Sequence, residues 1–126
     1  MTTESTATVS DSSVILAISL QGAQVGGGLG KAHTMAVARV VDGAVASWEE
    51  HEVGWDELHG QGPEGTHHGR IVRFMRDNSV EAVVTGHIGA PMINTLTKLG
   101  VLPIVDATGD AREVAVSAAE LVLAQR

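Results

Sequence analysis

Residues 62–100, GPEGTHHGRIVRFMRDNSVEAVVTGHIGAPMINTLTKLG, contain the pattern that decides the fold. A loop with Gly and Pro precedes a helical pattern, a short apolar strand, a Gly-His-Ile-Gly turn and a second helical pattern. Thr66 is the expected N-cap of the first helix, and Pro91 lies in the first turn of the second. This order predicts an open α/β sheet covered by helices.

Three of the six histidines lie at the junctions of this stretch rather than inside its elements. They are His67, His68 and His87. In an open α/β sheet, ligands bind at the carboxyl ends of the strands, where such junctions are found. The stretch therefore predicts a ligand site, for a metal or a metal cluster, rather than a catalytic triad.

The rest of the chain supplies the other strands of the sheet. Asp42-Gly43 is a strong signal for a two-residue hairpin between two strand patterns. Asp110 and Glu113 form the expected capping box of a last helix. The predicted strands are residues 14–20, 33–41, 44–52, 81–85 and 101–105.

These elements predict a five-stranded mixed sheet in the order 3-2-1-4-5, parallel except for one hairpin strand. Helices would cover both of its faces, and this arrangement is the ribonuclease-H-like architecture. We expect residues 1–12, which are rich in Ser and Thr, to be a disordered tail. Residues 13–126 would then form one domain.

Composition excludes several classes of function. The net charge of −7 argues against nucleic-acid binding and against docking on anionic membranes. No apolar run approaches the roughly 20 residues of a membrane span, and no signal peptide is recognisable, so we expect a cytoplasmic protein. With no cysteine, disulfides, thiol nucleophiles and Cys-ligated zinc are excluded. A metal would be held by His, Asp, Glu, backbone atoms or the ligand's own atoms.

The glycine-rich run after the first strand, QGAQVGGGLGK, has two interpretations. It is either a flexible loop or a backbone surface that approaches a ligand. His33 begins a strand beside it and is the fourth candidate metal ligand, with His67, His68 and His87. We expect His51, on a strand end, and His59, in the loop of residues 53–65, to be solvated.

Catalytic alternatives find little support in the sequence. A ribonuclease-H-type site needs several carboxylates on central strands to hold two divalent ions, but residues 14–20 have none. The G-x-S-x-G motif of acyl transfer is absent. We therefore predict a non-catalytic protein.

The segment from Thr66 to Ile104 resembles the dinitrogenase iron–molybdenum cofactor biosynthesis family, the NifX and NafY type of domain also found at the carboxyl end of NifB. The resemblance lies in His68-Gly69 opening a helix, in Thr85-Gly86 ending a strand with Ile88-Gly89 after it, and in the Leu99-Gly100 helix end. Gly30-Lys31-Ala32 is similar to the Gly-Arg-Ala that follows the family's first strand.

This resemblance implies a ribonuclease-H-like fold that binds or carries an iron–sulfur cluster or an iron–molybdenum cofactor precursor. A cofactor-receiving protein would be a partner. Where many members carry His-Phe-Gly this chain has Gly28-Leu29-Gly30, and we expect His33 and His87 to compensate. The open alternatives are a domain that binds a small anionic ligand at helix N-termini and a mononuclear histidine–metal site. The expected cofactor-binding positions are Gly28, Gly30, Lys31, Gly69, Gly86 and Gly89.

Overall fold

The structure, a computed structural model, describes residues 12–58 and 66–126. The prediction of a disordered tail and the prediction for His59 lie outside these residues, apart from Ser12, whose hydroxyl donates to the Asp42 carboxylate at 2.6 Å. The strands are β1 (Ser13–Gln21), β2 (Gln24–Val25), β3 (Thr34–Val41), β4 (Ala44–Glu52), β5 (Ala82–Val84), β6 (Leu102–Ile104) and β7 (Gly109–Asp110). The helices are α1 (Trp55–Leu58), α2 (Thr66–Asp77), α3 (Ala90–Lys98) and α4 (Ala111–Ala124), with a 3₁₀ turn at Leu29–Lys31.

One mixed sheet joins all of these strands. β1 pairs antiparallel with β3 and parallel with β5, β3 pairs antiparallel with β4, and β5 pairs parallel with β6. The hairpin between β3 and β4 turns at Asp42 and Gly43, where both residues have positive φ, as a type I′ turn requires. The mixed α/β class predicted from the sequence is confirmed.

The prediction of five strands is wrong, because the described residues form a sheet of seven. The two additional strands, β2 and β7, have two residues each and pair with each other. β2 also folds back on β1, which places it after the end of the first predicted strand. Strands this short carry no apolar alternation, so no sequence pattern marks them.

Successive residues of β1 face opposite sides of the sheet, and each side has its own core. Val14, Leu16, Ile18 and Leu20 pack with α4, which presents a stripe of alanines. Ala17 packs on the other side with residues of α2 and α3, among them Ile71 and Leu96. Helices therefore cover both faces of the sheet, as predicted.

Two local predictions need correction. Residues 53–65 were expected to be a loop, but α1 lies within them, and its Trp55 is buried. His51 was expected to be solvated, but its ring packs edge-on against Phe74 with the centroids 5.5 Å apart. The cause is the register, which sets His51 opposite Met35, a core residue on the face that α2 covers.

The helices within the described residues are too short or too polar to span a membrane.

Candidate functional site

The segments that follow β2 and β5 meet near the carboxyl ends of β1 and β5. We call residues 26–31, in the first of these segments, the glycine turn. Backbone contacts hold it against the segment that follows β5. Gly86 N donates to Gly27 O at 3.0 Å, and Leu29 N donates to His87 O at 2.8 Å. Gly28 and His87 form a parallel bridge between the two segments. These contacts hold the glycine turn against the segment after β5.

Beneath the glycine turn lies a pair of fully buried hydroxyl groups, those of Ser19 and Thr85. Their oxygens are 2.7 Å apart. Ser19 Oγ is also 3.0 Å from Gly26 O, and Thr85 Oγ1 is 3.2 Å from Gly27 O. Since buried polar groups are stable only when they are hydrogen-bonded, these contacts lock the turn to the ends of β1 and β5.

Gly86 is glycine because the chain's own backbone leaves no room for a side chain. A Cβ at this position would lie 2.7 Å from Gly27 O, closer than real Cβ atoms approach a neighbour. A Cβ at Gly28 or Gly89 would meet only ordinary van der Waals contacts. Gly86 thus sets the close approach of the two segments, whereas Gly28 and Gly89 have room for a Cβ.

His87 projects an exposed side chain from this fixed backbone. On one side of it Thr85 is buried and Gly86 is tightly packed, and on the other side Ile88 is buried. Its carbonyl already bonds to Leu29, so the position of the residue is set by the fold. Within the described part of the chain, no hydrogen bond or ion pair engages its ring.

His67 also reaches the glycine turn, but its ring is engaged. Its Nε2 lies 2.6 Å from Gly30 O. A carbonyl oxygen only accepts, so Nε2 must carry the proton and donate it. Nδ1 is 3.4 Å from the Arg70 guanidinium, which donates to it. His67 therefore ties the start of α2 to the glycine turn.

The other residues predicted to bind the metal or cofactor lie in or next to the segments described above. His68 is exposed in the first turn of α2, about 100° around the helix from His67. Gly69 follows it on α2 and is also exposed. Lys31 is exposed at the end of the 3₁₀ turn, and Gly89 is the N-cap of α3, with no side-chain cap bond.

His33, just before β3, belongs to a different group of side chains. Its Nδ1 is 3.0 Å from Asp56 Oδ1 on α1. The hydrogen bond and the negative charge of Asp56 raise the pKa of His33 above 6.5, and the charges of Glu57 and Glu52 add to this effect. One donor atom each from His33, Asp56 and Glu57 lies within 4.8 Å of the others. We call these three residues the carboxylate–histidine cluster.

The structure therefore divides the four predicted histidine ligands between two places. His67 and His87 contact the glycine turn, His68 lies one residue beyond His67, and His33 joins the carboxylates of α1. Among the residues that the structure describes, only the carboxylate–histidine cluster brings three possible metal ligands together. Sequence reasoning missed Asp56 and Glu57 because it assigned them to a loop. The only signal for them was the adjacent acidic pair beside an apolar Trp.

Among residues 12–58 and 66–126, the carboxylates of the central strands do not come together as a two-metal site would require. Glu81, just before β5, accepts a hydrogen bond from Ile15 N at 3.0 Å and forms an ion pair with Arg126. It is thus engaged in holding strands and the chain end together.

Comparison with known proteins gives a consistent picture. Residues 12–121 match a protein family described as dinitrogenase iron-molybdenum cofactor. The crystal structure of the protein PH0822 is similar to this chain with a TM-score of 0.68 at 18% identity, over 85% of this chain and 90% of that one. No curated protein gives a significant match.

Two structures of the Methanocaldococcus jannaschii protein MJ0327, described provisionally as a dinitrogenase, are also similar. The crystal structure has a TM-score of 0.58 at 16% identity, over 86% of this chain and 89% of that one. The NMR structure has a TM-score of 0.57 at 14% identity, over 89% of each chain. At such low identities the likeness shows a shared fold alone.

Proposed function

Because the chain belongs to the dinitrogenase iron–molybdenum cofactor family, we propose that it binds an iron–sulfur-based cluster or an iron–molybdenum cofactor precursor as cargo. In this proposal the protein carries the cargo and does not catalyse a reaction on it. A carrier must release what it holds, so a cofactor-receiving protein is its expected partner. The exposed ring of His87 beside the glycine turn is the observation that carries the proposal.

The donor chemistry of the chain fits such a cargo. Imidazole nitrogen suits iron, and a chain without cysteine offers no thiolate in its place. A cluster brings its own bridging atoms and needs only a few protein contacts. Donors for one ion must lie within a few ångströms of each other, but His67, His68 and His87 form no such group in the described residues. Their spread around the glycine turn favours a cargo of several atoms over a single ion.

We assign the residues of this site different tasks. His87 and His68, both exposed, are the proposed ligands, whereas His33 bonds to Asp56. His67 holds Gly30 in place, and it would have to give up that hydrogen bond to bind a metal. Backbone atoms of Gly28, Gly30, Gly69 and Gly89, with the Lys31 ammonium, would surround the cargo, while Gly86 keeps the two segments together.

We further propose that the fold is a ribonuclease-H-like variant. The five longer strands adjoin in the order β4, β3, β1, β5 and β6, and this supports the proposal. In this interpretation β2 and β7 are additions at the end of β1. The structural relatives share the fold over most of the chain but do not identify the cargo.

The test is anaerobic reconstitution of the tag-free protein with ferrous iron and sulfide. Iron, molybdenum, zinc and acid-labile sulfide would then be measured in the wild type and in His87→Ala. His51→Gln is the matched control, since it also removes an imidazole, but one that packs against Phe74 away from the glycine turn. We expect iron with sulfide in the wild type and the control, and its loss from His87→Ala.

Other outcomes would change the proposal in defined ways. Iron without sulfide would indicate a mononuclear histidine site. No metal in the wild type would contradict cluster binding and favour the alternative ligand, a small anion at the N-terminus of α3. Equal cluster content in all three proteins would remove His87 from the site.

A further inference from the structure

Outside the glycine turn, the carboxylate–histidine cluster is the described group with the chemistry of a metal site. It combines one imidazole, that of His33, with the carboxylates of Asp56 and Glu57. Nitrogen and carboxylate donors together suit divalent first-row transition ions such as Zn²⁺ and Mn²⁺. All three residues are exposed, so an ion can reach them from solvent.

The spacing of the donors agrees with coordination of one ion. Two ligands that each lie about 2.1 Å from an ion are roughly 3.0–3.4 Å apart at octahedral and tetrahedral angles. His33 Nδ1 and Asp56 Oδ1 are 3.0 Å apart. An ion could take the place of the proton that joins this pair, once His33 Nδ1 has given that proton up. One donor atom of Glu57 lies within 4.8 Å of a donor atom of each of the other two residues.

Backbone contacts hold the two segments of the cluster together. Gly54 N donates to His33 O at 3.0 Å, and Asp56 N donates to Ala32 O at 3.3 Å. Trp55, between them, is buried in the core and anchors α1. The position of His33 relative to α1 is therefore set by the fold, which distinguishes the cluster from a chance meeting of surface side chains.

The surrounding charge also favours a cation. Glu52, opposite Thr34 in the β3–β4 register, adds a third carboxylate near His33. Lys31 is the nearest basic residue along the chain. The charges of Asp56, Glu57 and Glu52 all act on His33 in the direction that favours a cation. Arg70 is a basic side chain that contacts α1, and its Nη1 donates to Leu58 O at 3.4 Å.

We propose that His33, Asp56 and Glu57 form a mononuclear site for a divalent transition-metal ion, separate from the proposed cluster site. Three protein ligands leave coordination positions open to water or to a ligand atom of a bound molecule. The inference does not depend on the proposed function, because none of its three residues is one of the proposed cluster ligands His87 and His68.

The experiment is calorimetric titration of the tag-free, chelator-treated full chain with Zn²⁺, and separately with Mn²⁺. The variants are His33→Ala, Asp56→Asn and Glu57→Gln. Glu49→Gln is the matched control, because Glu49 Oε1 lies 3.7 Å from His51 Nε2. The substitution removes one charge beside a histidine that, within the described residues, belongs to no group of three possible ligands. His87→Ala tests independence from the glycine turn.

We expect one Zn²⁺ per chain in the wild type, in Glu49→Gln and in His87→Ala. The affinity for Zn²⁺ should fall at least about tenfold in His33→Ala and Asp56→Asn. Even the mutation of a residue that only hydrogen-bonds to a metal ligand lowers metal affinity by about this factor. Urea unfolding of each variant checks that the fold is retained.

Three results would overturn the proposal. They are no Zn²⁺ binding by the wild type, unchanged binding in both His33→Ala and Asp56→Asn, and loss of binding in His87→Ala. If the wild-type protein binds Zn²⁺ but cannot be reconstituted with a cluster, the proposed function is contradicted and the proposal of the His33 site stands.

Discussion

The glycine turn and the carboxylate–histidine cluster differ in what holds them together, although His33 of the cluster follows the turn by two residues. The glycine turn is held by backbone hydrogen bonds and by two hydroxyls that are fully buried. The cluster consists of exposed side chains, with His33 and Asp56 each more than 40% accessible. The first region should respond to mutation mainly through stability, and the second mainly through protonation and metal binding.

The largest effect should come from adding a methyl group at Gly86, which packs against the glycine turn. In Gly86→Ala the new Cβ would meet Gly27 O at 2.7 Å, so the two segments must separate. We expect a loss of about 3 kcal/mol of unfolding free energy, the upper end for overpacking. Urea denaturation measures it.

Gly69→Ala is the matched control for this substitution. A Cβ there meets nothing within 4 Å, and the residue lies within α2. Because Ala is a better helix former than Gly by about 1 kcal/mol, the control should be neutral or more stable. Equal destabilisation in both variants would contradict the close-packing account of the glycine turn.

A smaller loss should follow from removing one buried hydroxyl. Thr85→Val keeps the shape of the side chain but deletes the contacts to Ser19 Oγ and Gly27 O. We expect about 1–2 kcal/mol of destabilisation, the usual cost of a buried hydrogen bond. The midpoint of urea unfolding should fall while the slope stays the same.

Thr97→Val is the corresponding control on α3. Its exposed hydroxyl bonds only to Ile93 O in the same helix. The change in stability should stay within about 0.5 kcal/mol. If Thr85→Val behaves like this control, the hydroxyl pair does not hold the glycine turn.

The smallest effect on stability should come from Asp56→Asn in the metal-free protein. Asp56 raises the pKa of His33, so the variant should move the His33 titration midpoint down toward 6.5. NMR titration of the imidazole protons measures this shift. An unchanged midpoint would show that the pair does not form in solution.

The sign of the accompanying pH dependence follows from the raised pKa. The protonated His33–Asp56 pair stabilises the fold fully below pH 6.5, the ordinary pKa of histidine, and this contribution is lost as the pH rises through the raised value. Asp56→Asn should reduce the dependence, since only the charges of Glu57 and Glu52 would still raise the pKa of His33. Because both groups are exposed, solvent screening keeps the stabilisation small.

Much of the architecture could be predicted because its signals are local. The hairpin follows from Asp42-Gly43 between two strand patterns, and the bounds predicted for β4, residues 44–52, agree with the structure. Asp110 caps the last helix by accepting a hydrogen bond from Glu113 N, as its spacing indicated. The family resemblance also lies in short contiguous motifs, and the family match confirms it.

The candidate site was only partly predictable, because its contacts join distant residues. The sequence placed His33 beside the glycine-rich run and indicated His67, His68 and His87 as further candidate ligands, but it contained no signal for their partners. His67 meets Gly30 across 37 positions, and His33 meets Asp56 across 23. The two-residue strands β2 and β7 likewise exist only through their pairing.

The sequence by itself determined the α/β class, the main strands and helices and the absence of thiol chemistry, since periodicity, turn residues and composition are properties of the chain. Only the tertiary structure decided that His67 is bound to Gly30, that His87 stays exposed and that His33 belongs with Asp56 and Glu57. The physical reason is that a ligand site depends on which side chains the packed elements bring within about 3 Å of each other. That distance is set by the register and packing of the whole sheet, not by the local pattern of any one segment.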